Sequence, residues 1–217
     1  MNILIMGPAG AGKGTMAERI VQKYGIAHIS SGDMFRAEIG GKTELGLKAQ
    51  EYMNQGLLVP DEVTIAMVKK RLEQDDCKNG YLLDGFPRTL PQAIALKEIT
   101  EQINAPLEVI LILDVEFDEL VKRITGRRLC KDCKSIYNIF FTPTKVEGKC
   151  DKCGGELTQR ADDTVESLKV RLQSYENQTV PVLEYFAEAG LTRKVNAGQA
   201  IDDVWNDVQA ALDPFQK

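Results

Sequence analysis

The glycine-rich stretch Gly7–Thr15, which reads GPAGAGKGT, constrains the fold more than any other part of this sequence. It follows the apolar run 3–6 and precedes the segment 16–24, whose composition is typical of a helix. Because glycine has access to backbone angles that other residues avoid, successive N–H groups can turn inward and form a concave site for an anion. The helix adds its free N–H groups and the positive end of its dipole. This order of strand, loop and helix predicts a phosphate-binding loop; the alternative is a flexible glycine turn.

Lys13 gives this loop its charge. The pattern Gly-x4-Gly-Lys is met by Gly7, Gly12 and Lys13, although Gly14 moves the hydroxyl one place later, to Thr15. A lysine ammonium group at this place acts as a mobile point charge for phosphate oxygens. The loop therefore predicts that the chain binds a nucleoside polyphosphate.

The remaining sequence alternates short apolar runs with longer helix-like stretches, which predicts an α/β fold with a mostly parallel sheet. Further strands are expected at 27–30, 81–84, 107–113 and 191–195. Ligands of such sheets bind beyond the carboxyl ends of the strands, so Asp84 and Arg88 are expected beside Lys13. Asp84 is either an ordinary turn residue or, next to a phosphate loop, a partner of Mg²⁺ or of its waters.

Two helix starts carry local signals. Ser30 or Ser31 either caps the helix that follows or contacts a ligand, and the sequence does not separate these roles. Farther along, Asp163 and Glu166 have the spacing of a capping box. The polar segment between the first of these starts and Gly56, broken at 40–41, predicts a small helical insertion.

Four of the five cysteines form the pattern Cys130-x2-Cys133 and Cys150-x2-Cys153, with 16 residues between the pairs. This spacing predicts a structural zinc site with four thiolate ligands; redox pairs, disulfides and bound iron are the alternatives. With four sulfur ligands no coordination position remains for a reacting water. The apolar segment 136–141 and the turn 142–143 between the pairs suggest a small antiparallel hairpin.

The net charge of −5 over 217 residues limits the possible partners. An acidic chain attracts neither nucleic acid nor an anionic membrane, so phosphate recognition depends on local clusters of arginine. No apolar run reaches the roughly 20 residues of a membrane span, and no signal peptide is apparent. Cysteines spaced for a metal indicate a reducing compartment. We therefore expect a cytoplasmic protein of one domain with inserted modules.

Arginine is more abundant around the predicted loop than one triphosphate requires. The positions concerned are 36, 88, 123, 127, 160 and 171. This excess points to a second phosphate-bearing substrate, and hence to a kinase, because a hydrolase needs only to position a water. An acceptor that is itself a phosphate is already anionic near neutral pH, since its second pKa is about 6. Such a reaction needs no general base, in agreement with a chain that contains a single histidine.

Together with the loop, the segments 84–89 (DGFPRT), 125–128 (TGRR) and 160–163 (RADD) resemble the adenylate kinase family, in its long bacterial form with a zinc-bearing lid. The resemblance covers the whole chain. It implies a sheet of the P-loop NTPase type flanked by helices, with the core at 1–29, 60–126 and 164–217. It also implies an AMP-binding insertion at 30–59 and a lid at 127–163. The implied activity is reversible, Mg²⁺-dependent phosphoryl transfer from ATP to AMP, by a monomer, to give two ADP.

The resemblance also implies a role for individual residues. The ATP site would comprise Gly10, Ala11, Gly12, Lys13, Gly14, Thr15, Arg123, Arg127, Ile136, Tyr137 and Gln199. The AMP site would comprise Ser31, Arg36, Leu57, Leu58, Val59, Gly85, Phe86, Pro87, Arg88, Gln92, Arg160 and Arg171. Catalysis would rest on Lys13, Asp84, Arg88, Arg127, Arg160 and Arg171. Ile136 stands where the family commonly has a polar residue, and Ser31 where it commonly has threonine.

Three other functions compete with this interpretation. Gln92, Thr89 and the long lid disfavour a kinase of pyrimidine monophosphates, whereas an AMP kinase that uses GTP stays open. A nucleic-acid-binding ATPase with a zinc ribbon is disfavoured by the acidic charge and by the lack of an aromatic and basic stripe.

Overall fold

The computed structural model describes residues 1–216 and is built on a sheet of five parallel strands in the order β2-β3-β1-β4-β8. These strands are β1 (Asn2–Met6), β2 (Ala27–Ser30), β3 (Tyr81–Asp84), β4 (Val109–Asp114) and β8 (Thr192–Asn196). The predicted α/β class is confirmed, and each predicted strand lies within two residues of its place. Strand β4 is buried from Val109 to Leu113, as expected of a central parallel strand that is covered on both faces.

Helices cover both faces of this sheet. The helices are α1 (Lys13–Tyr24), α2 (Ser31–Gly40), α3 (Glu44–Asn54), α4 (Asp61–Leu72), α5 (Leu90–Gln102), α6 (Phe117–Thr125), α7 (Val165–Ser174), α8 (Val180–Ala187) and α9 (Ile201–Leu212). Short 3₁₀ segments lie at Asp75–Asn79 and Asp213–Phe215, and a π-helical turn at Tyr175–Thr179 joins α7 to α8. None of these helices, within residues 1–216, has the length and apolar character required to cross a bilayer.

The alternation of side chains along β1 divides the interior into two cores. Ile3 and Ile5 pack with α1 and α9 on one face. Leu4 and Met6 pack with α4, α5 and α8 on the other. The carboxyl ends of β1, β3 and β4 therefore meet at one edge of a rigid, doubly covered sheet, and the glycine-rich loop leaves the sheet at this edge.

Helices α2 and α3 form the predicted helical insertion. They close over a small core of Phe35, Ala49 and Val59. Ser30 is the N-cap of α2 and accepts a hydrogen bond from the N–H of Asp33. Of the two serines that the sequence offered as caps, Ser30 therefore has this role. Ser31 instead donates its hydroxyl proton to the carbonyl of Gly85, 2.7 Å away.

A second, antiparallel sheet contains β5 (Arg127–Cys130), β6 (Ile136–Asn138) and β7 (Leu157–Thr158) in the order β6-β5-β7. The predicted hairpin within 136–143 is wrong in its partners. The strand β6 pairs with β5, which begins before the first cysteine, and the expected second strand is reduced to one bridge between Asn138 and Thr142. Residues 139–141 are turn residues with exposed side chains.

The predicted capping box at Asp163 and Glu166 is also wrong. Helix α7 is capped by Thr164, whose hydroxyl accepts a hydrogen bond from the N–H of Ser167. Asp163 is buried and bound to an arginine, so a long-range ion pair replaces the local cap that the sequence suggested.

Candidate active site

The glycine-rich loop folds as the sequence predicted. Gly7, Gly10 and Gly12 have φ angles of 145°, 91° and 90°, in the region that side chains disfavour. A Cβ on Gly7 would lie 2.5 Å from the carbonyl oxygen of Leu113, so the loop passes directly over β4. The ammonium group of Lys13 donates to the carbonyl oxygens of Gly7 and Pro8, at 2.7 and 2.8 Å. The lysine is thereby held within the curve of the loop.

A cleft of about 1170 Å³ opens at this edge of the sheet, and the core, the insertion and the second sheet all contribute to its walls. The predicted site residues that line it are Gly10, Ala11, Gly12, Lys13, Gly14, Thr15, Arg36, Leu57, Leu58, Asp84, Gly85, Phe86, Pro87, Arg88, Arg123, Arg127, Ile136, Tyr137, Arg160, Arg171 and Gln199. Three others, Ser31, Val59 and Gln92, are buried immediately behind the walls. The fold therefore brings together residues that are up to 189 positions apart in the chain (Gly10 to Gln199).

Two of the arginines are held by carboxylates that follow Arg160 in the sequence. Asp163 is buried and accepts two hydrogen bonds from Arg127, one of them from Nε at 2.9 Å. Asp162 accepts from Arg171 through both its side chain and its carbonyl. Paired, planar guanidinium groups lose little conformational freedom when they bind an anion. The acids therefore act as supports for the cationic groups.

Arg36 and Arg160 approach the cleft from opposite sides. Asp33, on the insertion, accepts hydrogen bonds from Arg36 and lies 3.9 Å from the nearest guanidinium nitrogen of Arg160. The Nε atom of Arg160 is buried and has no hydrogen-bond partner among residues 1–216. A buried, unpaired donor in a wall of charged residues is a feature expected of a site for an anionic ligand.

Electrostatic effects show how closely the cationic groups converge. Burial, with smaller contributions from Arg88, Arg127 and Arg171, lowers the pKa of Lys13 to about 8, while Asp84 opposes the shift. Burial together with neighbouring arginines also lowers the pKa of Arg160 and of Arg171 to about 10. Both arginines stay charged at neutral pH. These positive charges repel one another because they lie close together. Their combined positive potential favours the binding of a polyphosphate.

Asp84 ends β3 beside the loop, as the sequence predicted. Strand pairing places Ile5 of β1 and Ser30 of β2 level with it. The Nε2 atom of His28 lies 3.9 Å from an oxygen of Asp84, is buried, and has no hydrogen-bond partner among the described residues. Asp84 is half-buried and faces the cleft, so its carboxylate is available to a hydrated cation.

The side chain of Gln92 is fixed by two contacts. Its carbonyl oxygen accepts from the N–H of Arg88 at 2.8 Å, and its amide nitrogen donates to Asp61 at 2.7 Å. Thr89 donates to the other oxygen of Asp61. This network fixes the segment that carries Arg88, which also binds the carbonyl of Gly85 through Nε.

On the other side of the cleft, Arg123 forms part of a rigid wall. Its guanidinium group donates to Glu119 and to the carbonyl oxygen of Ala197, and lies 5.8 Å from the ring centre of Phe141. The hydroxyl of Tyr137 lies 3.3 Å from the sulfur of Cys150 and accepts a hydrogen bond from the N–H of Asp151 at 3.0 Å.

The four cysteines predicted as metal ligands lie together. The sulfur atoms of Cys130, Cys133, Cys150 and Cys153 are all within 4.8 Å of one another, and two pairs are 3.5 Å apart. None of the four forms a disulfide in the structure, which favours the metal site over the alternative of disulfides. Tetrahedral Zn–S bonds of about 2.3 Å place sulfur atoms roughly 3.8 Å apart, so the group fits zinc in size and chemistry.

Sequence reasoning missed the carboxylates that hold the arginines. Asp162 and Asp163 stand beside Arg160 in the motif RADD, and this run of opposite charges is the signal that could have identified them. Asp33 is 127 positions from Arg160, so only the fold reveals that contact. The same holds for the exposed ion pair between Lys152 and Glu18, which joins the second sheet to α1.

Comparison with known proteins agrees with this geometry. A sequence model of the family described as adenylate kinase matches residues 5–191. Adenylate kinase from Bacillus subtilis is 51% identical over 217 residues, all of both chains. The enzymes from Thermodesulfovibrio yellowstonii and Archaeoglobus fulgidus are 50% and 47% identical, over 98% and 100% of this chain and 99% and 100% of their own lengths.

Proposed function

This chain belongs to the adenylate kinase family, and from that premise we propose how its residues perform the family's reaction. The activity is reversible transfer of the γ-phosphoryl group of ATP to AMP, which yields two ADP. The observation that carries the proposal is the convergence of Lys13, Asp84 and arginines from three parts of the chain on one cleft. A cleft of this charge suits two nucleotides whose phosphates meet in its centre.

The glycine-rich loop would hold the β- and γ-phosphates of ATP. Its inward N–H groups and the start of α1 supply fixed donors, and Lys13 adds a charge that is already within the curve of the loop. Mg²⁺ would arrive with ATP, and Asp84 with its waters would bind it. The ion would neutralise charge on the transferring group.

The arginines would hold the acceptor and stabilise the transferring group. Arg88 and Arg36 lie toward the insertion and would bind the phosphate of AMP. Three further arginines would lie between the ATP side and the AMP side and contact the phosphoryl group during transfer: Arg127, Arg160 and Arg171. Single arginines in such positions can contribute about 10³–10⁵ in rate. The acceptor oxygen is already ionised, so none of these residues acts as a base.

We propose that 127–163 acts as a lid and 30–59 as a second closing module over the core. The contacts between Lys152 and Glu18 and between Arg160 and Asp33 support this assignment, because each joins a module to another part of the cleft. Closure expels water, which would otherwise accept the phosphoryl group.

Zinc would be bound by Cys130, Cys133, Cys150 and Cys153 and would stabilise the lid. The support is the size of the sulfur cluster and its free thiols. The metal contributes folding free energy, and the transfer itself would be carried out by the cleft residues.

The protein is proposed to act as a monomer in the cytoplasm, on small-molecule nucleotides. Free thiols in a metal cluster support a reducing compartment. The walls of the cleft come from one chain, so a partner subunit is not needed to complete the site.

A matrix of donors against acceptors tests the proposal. ATP and GTP would each be combined with AMP, GMP, CMP and UMP, and product nucleotides quantified. ATP with AMP should give the highest kcat/KM, with ADP as the only product. Higher turnover with GTP, or with another acceptor, would assign the chain a different substrate pair. Arg88→Lys is the matched variant: it keeps the charge, and its rate should fall because the planar donor pair is lost.

A further inference from the structure

We propose that Asp207 selects the base of the phosphoryl donor by fixing the orientation of the Gln199 side-chain amide. The inference rests on the proposed function, since it takes the wall around Arg123 as the place of the donor base. It assigns a positioning role to an exposed acid on α9 that lies outside the cleft.

The amide nitrogen of Gln199 has two acceptors. It donates to the carbonyl oxygen of Asn196 at 3.0 Å and to a carboxylate oxygen of Asp207 at 2.5 Å. Both neighbours accept only, since a main-chain carbonyl and an ionised carboxylate have no proton to give. The amide therefore places its nitrogen toward them, and the carbonyl oxygen of Gln199 is left without a donor among residues 1–216.

The backbone around Gln199 is fixed as well. The Asn196 side chain accepts from the N–H of Gly198 at 2.9 Å and closes a local turn. The N–H of Ala197 donates to the carbonyl of Asp114 at the end of β4, 2.7 Å away. A side chain on such a fixed turn can discriminate between ligands, because little conformational entropy is lost when it is held in place during binding.

The neighbouring surface suits a flat base. Arg123 is clamped by Glu119 and by the carbonyl of Ala197, so its guanidinium plane is fixed. Ile201 and Val204 add apolar surface beside it. An aromatic base can stack on a guanidinium plane, with its edge toward Gln199.

An amide oxygen at that edge accepts a hydrogen bond but cannot donate one. The 6-amino group of adenine satisfies it, whereas the 6-carbonyl of hypoxanthine or guanine leaves two acceptors facing each other. A site built to bind an N–H group rejects an analogue that lacks it, because the bound analogue covers the acceptor and leaves it unpaired. Selection for ATP thus depends on which way the amide points, and Asp207 determines that direction.

The test compares ATP with inosine triphosphate, which carries a carbonyl at position 6, in assays with saturating AMP. In Asp207→Asn the new amide can donate to Gln199, so the glutamine can turn and offer its nitrogen to the base. The ratio of kcat/KM for ATP to that for inosine triphosphate should fall by about tenfold, the value of one hydrogen bond. Asp203→Asn removes an exposed acid from the same helix and should leave the ratio unchanged.

A double-mutant cycle separates positioning from a general effect of charge. In the Gln199→Leu background there is no amide to orient, so Asp207→Asn should no longer change the ratio. Melting curves of all variants identify any loss of folding. An unchanged ratio in Asp207→Asn, or an equal change in Asp203→Asn, would overturn the inference while leaving transfer from ATP to AMP intact. Failure of the unsubstituted protein to phosphorylate AMP would instead overturn the proposed function.

Discussion

The proposed lid (127–163) and the helical insertion (30–59) both bring arginines to the cleft, but their interiors differ. Two helices of the insertion close over Phe35, Ala49 and Val59. They approach so closely that a Cβ on Gly46 would lie 2.2 Å from the carbonyl oxygen of Glu38. The strands of the lid are two to four residues long, and Phe140 at its tip is 58% exposed.

The difference follows from size and shape. A pair of amphipathic helices can bury apolar surface between them, whereas a three-stranded sheet of nine residues cannot. Ordering the lid backbone costs about 1–2 kcal/mol per residue, and its most buried side chains include Cys130 and Cys150. In the proposed function, a metal ion held by the four cysteines would take the place of the missing core. The insertion would then be stabilised by an apolar core and the lid by a bound metal ion.

The largest expected effect is on the lid alone. Removal of zinc by a chelator, or Cys130→Ser with Cys133→Ser, should unfold 127–163, because structural zinc contributes an apparent 10–16 kcal/mol in small modules. Hydrogen exchange followed by mass spectrometry should report lost protection in the lid and unchanged protection in the insertion. Cys77→Ser is the matched control, since Cys77 is remote from the cluster in the structure and contacts Arg71. Equal protection of the lid with and without metal would contradict the proposed role of zinc.

The insertion should respond to loss of packing instead. Phe35→Ala should destabilise the helical pair by about 3–5 kcal/mol, because it opens a cavity in a core with few other members. KM for AMP should rise, and zinc content should stay the same. Hydrogen exchange and metal analysis of one sample measure both. Loss of zinc from Phe35→Ala would show that the modules are not independent.

A smaller effect is expected on the pKa of Lys13, which depends on the charges that each module places near it. Arg127, from the lid, lowers the pKa of Lys13 to about 8 together with burial and the core arginines. Arg127→Gln should raise that pKa, whereas Arg36→Gln, in the insertion, should leave it unchanged. A ¹³C titration of the Lys13 side chain measures both variants. A shift in Arg36→Gln equal to that in Arg127→Gln would remove this distinction.

The same pKa predicts the direction of a stability change with pH. Between pH 8 and 10.5 the unfolded chain holds a proton on Lys13 that the folded chain has released. The contribution of Lys13 to stability therefore rises with pH across this window. Relative to Lys13→Met, the ligand-free protein should gain stability from pH 8 to 10, in denaturant titrations. A constant difference between the two proteins would contradict the lowered pKa.

The smallest effect is expected at the exposed contact between lid and core. Lys152 and Glu18 are both half-exposed or more, so their ion pair should be worth only about 0.2–1 kcal/mol. Lys152→Gln should open the lid slightly, as measured by energy transfer between dyes on the lid and the core. The change should vanish at high salt, and Lys145→Gln should have no effect. A salt-independent change would require another explanation.

The sequence predicted what depends on local spacing. The glycine-rich loop, the strands of the parallel sheet and the cysteine cluster are each indicated by residues close together in the chain. The structure confirms all three. Prediction from the sequence failed where a residue or strand pairs with a segment far away in the chain instead of with a neighbouring one. Asp163 looked like half of a capping box, but Arg127 is its partner. Segment 136–143 looked like a hairpin, but β5 supplies the missing strand.

The roles predicted for individual site residues are neither confirmed nor contradicted, and they stay predictions. Most line the cleft, but the side chain of Gln92 is engaged by Arg88 and Asp61, behind the wall. The hydroxyl of Tyr137 faces the cysteines. Spacing in the chain cannot indicate which atom of a side chain points to a ligand, because that choice depends on contacts from other elements.

The most direct test of the account is a crystal structure with two adenosines joined through a pentaphosphate. The account predicts one such molecule in the cleft, with the guanidinium groups of Arg88, Arg127, Arg160 and Arg171 within hydrogen-bond distance of its phosphates. It also predicts one terminal base beside Gln199 and the other beside the insertion. Guanidinium groups that point away from the phosphates would contradict the claim that core, insertion and lid together form one site for two nucleotides.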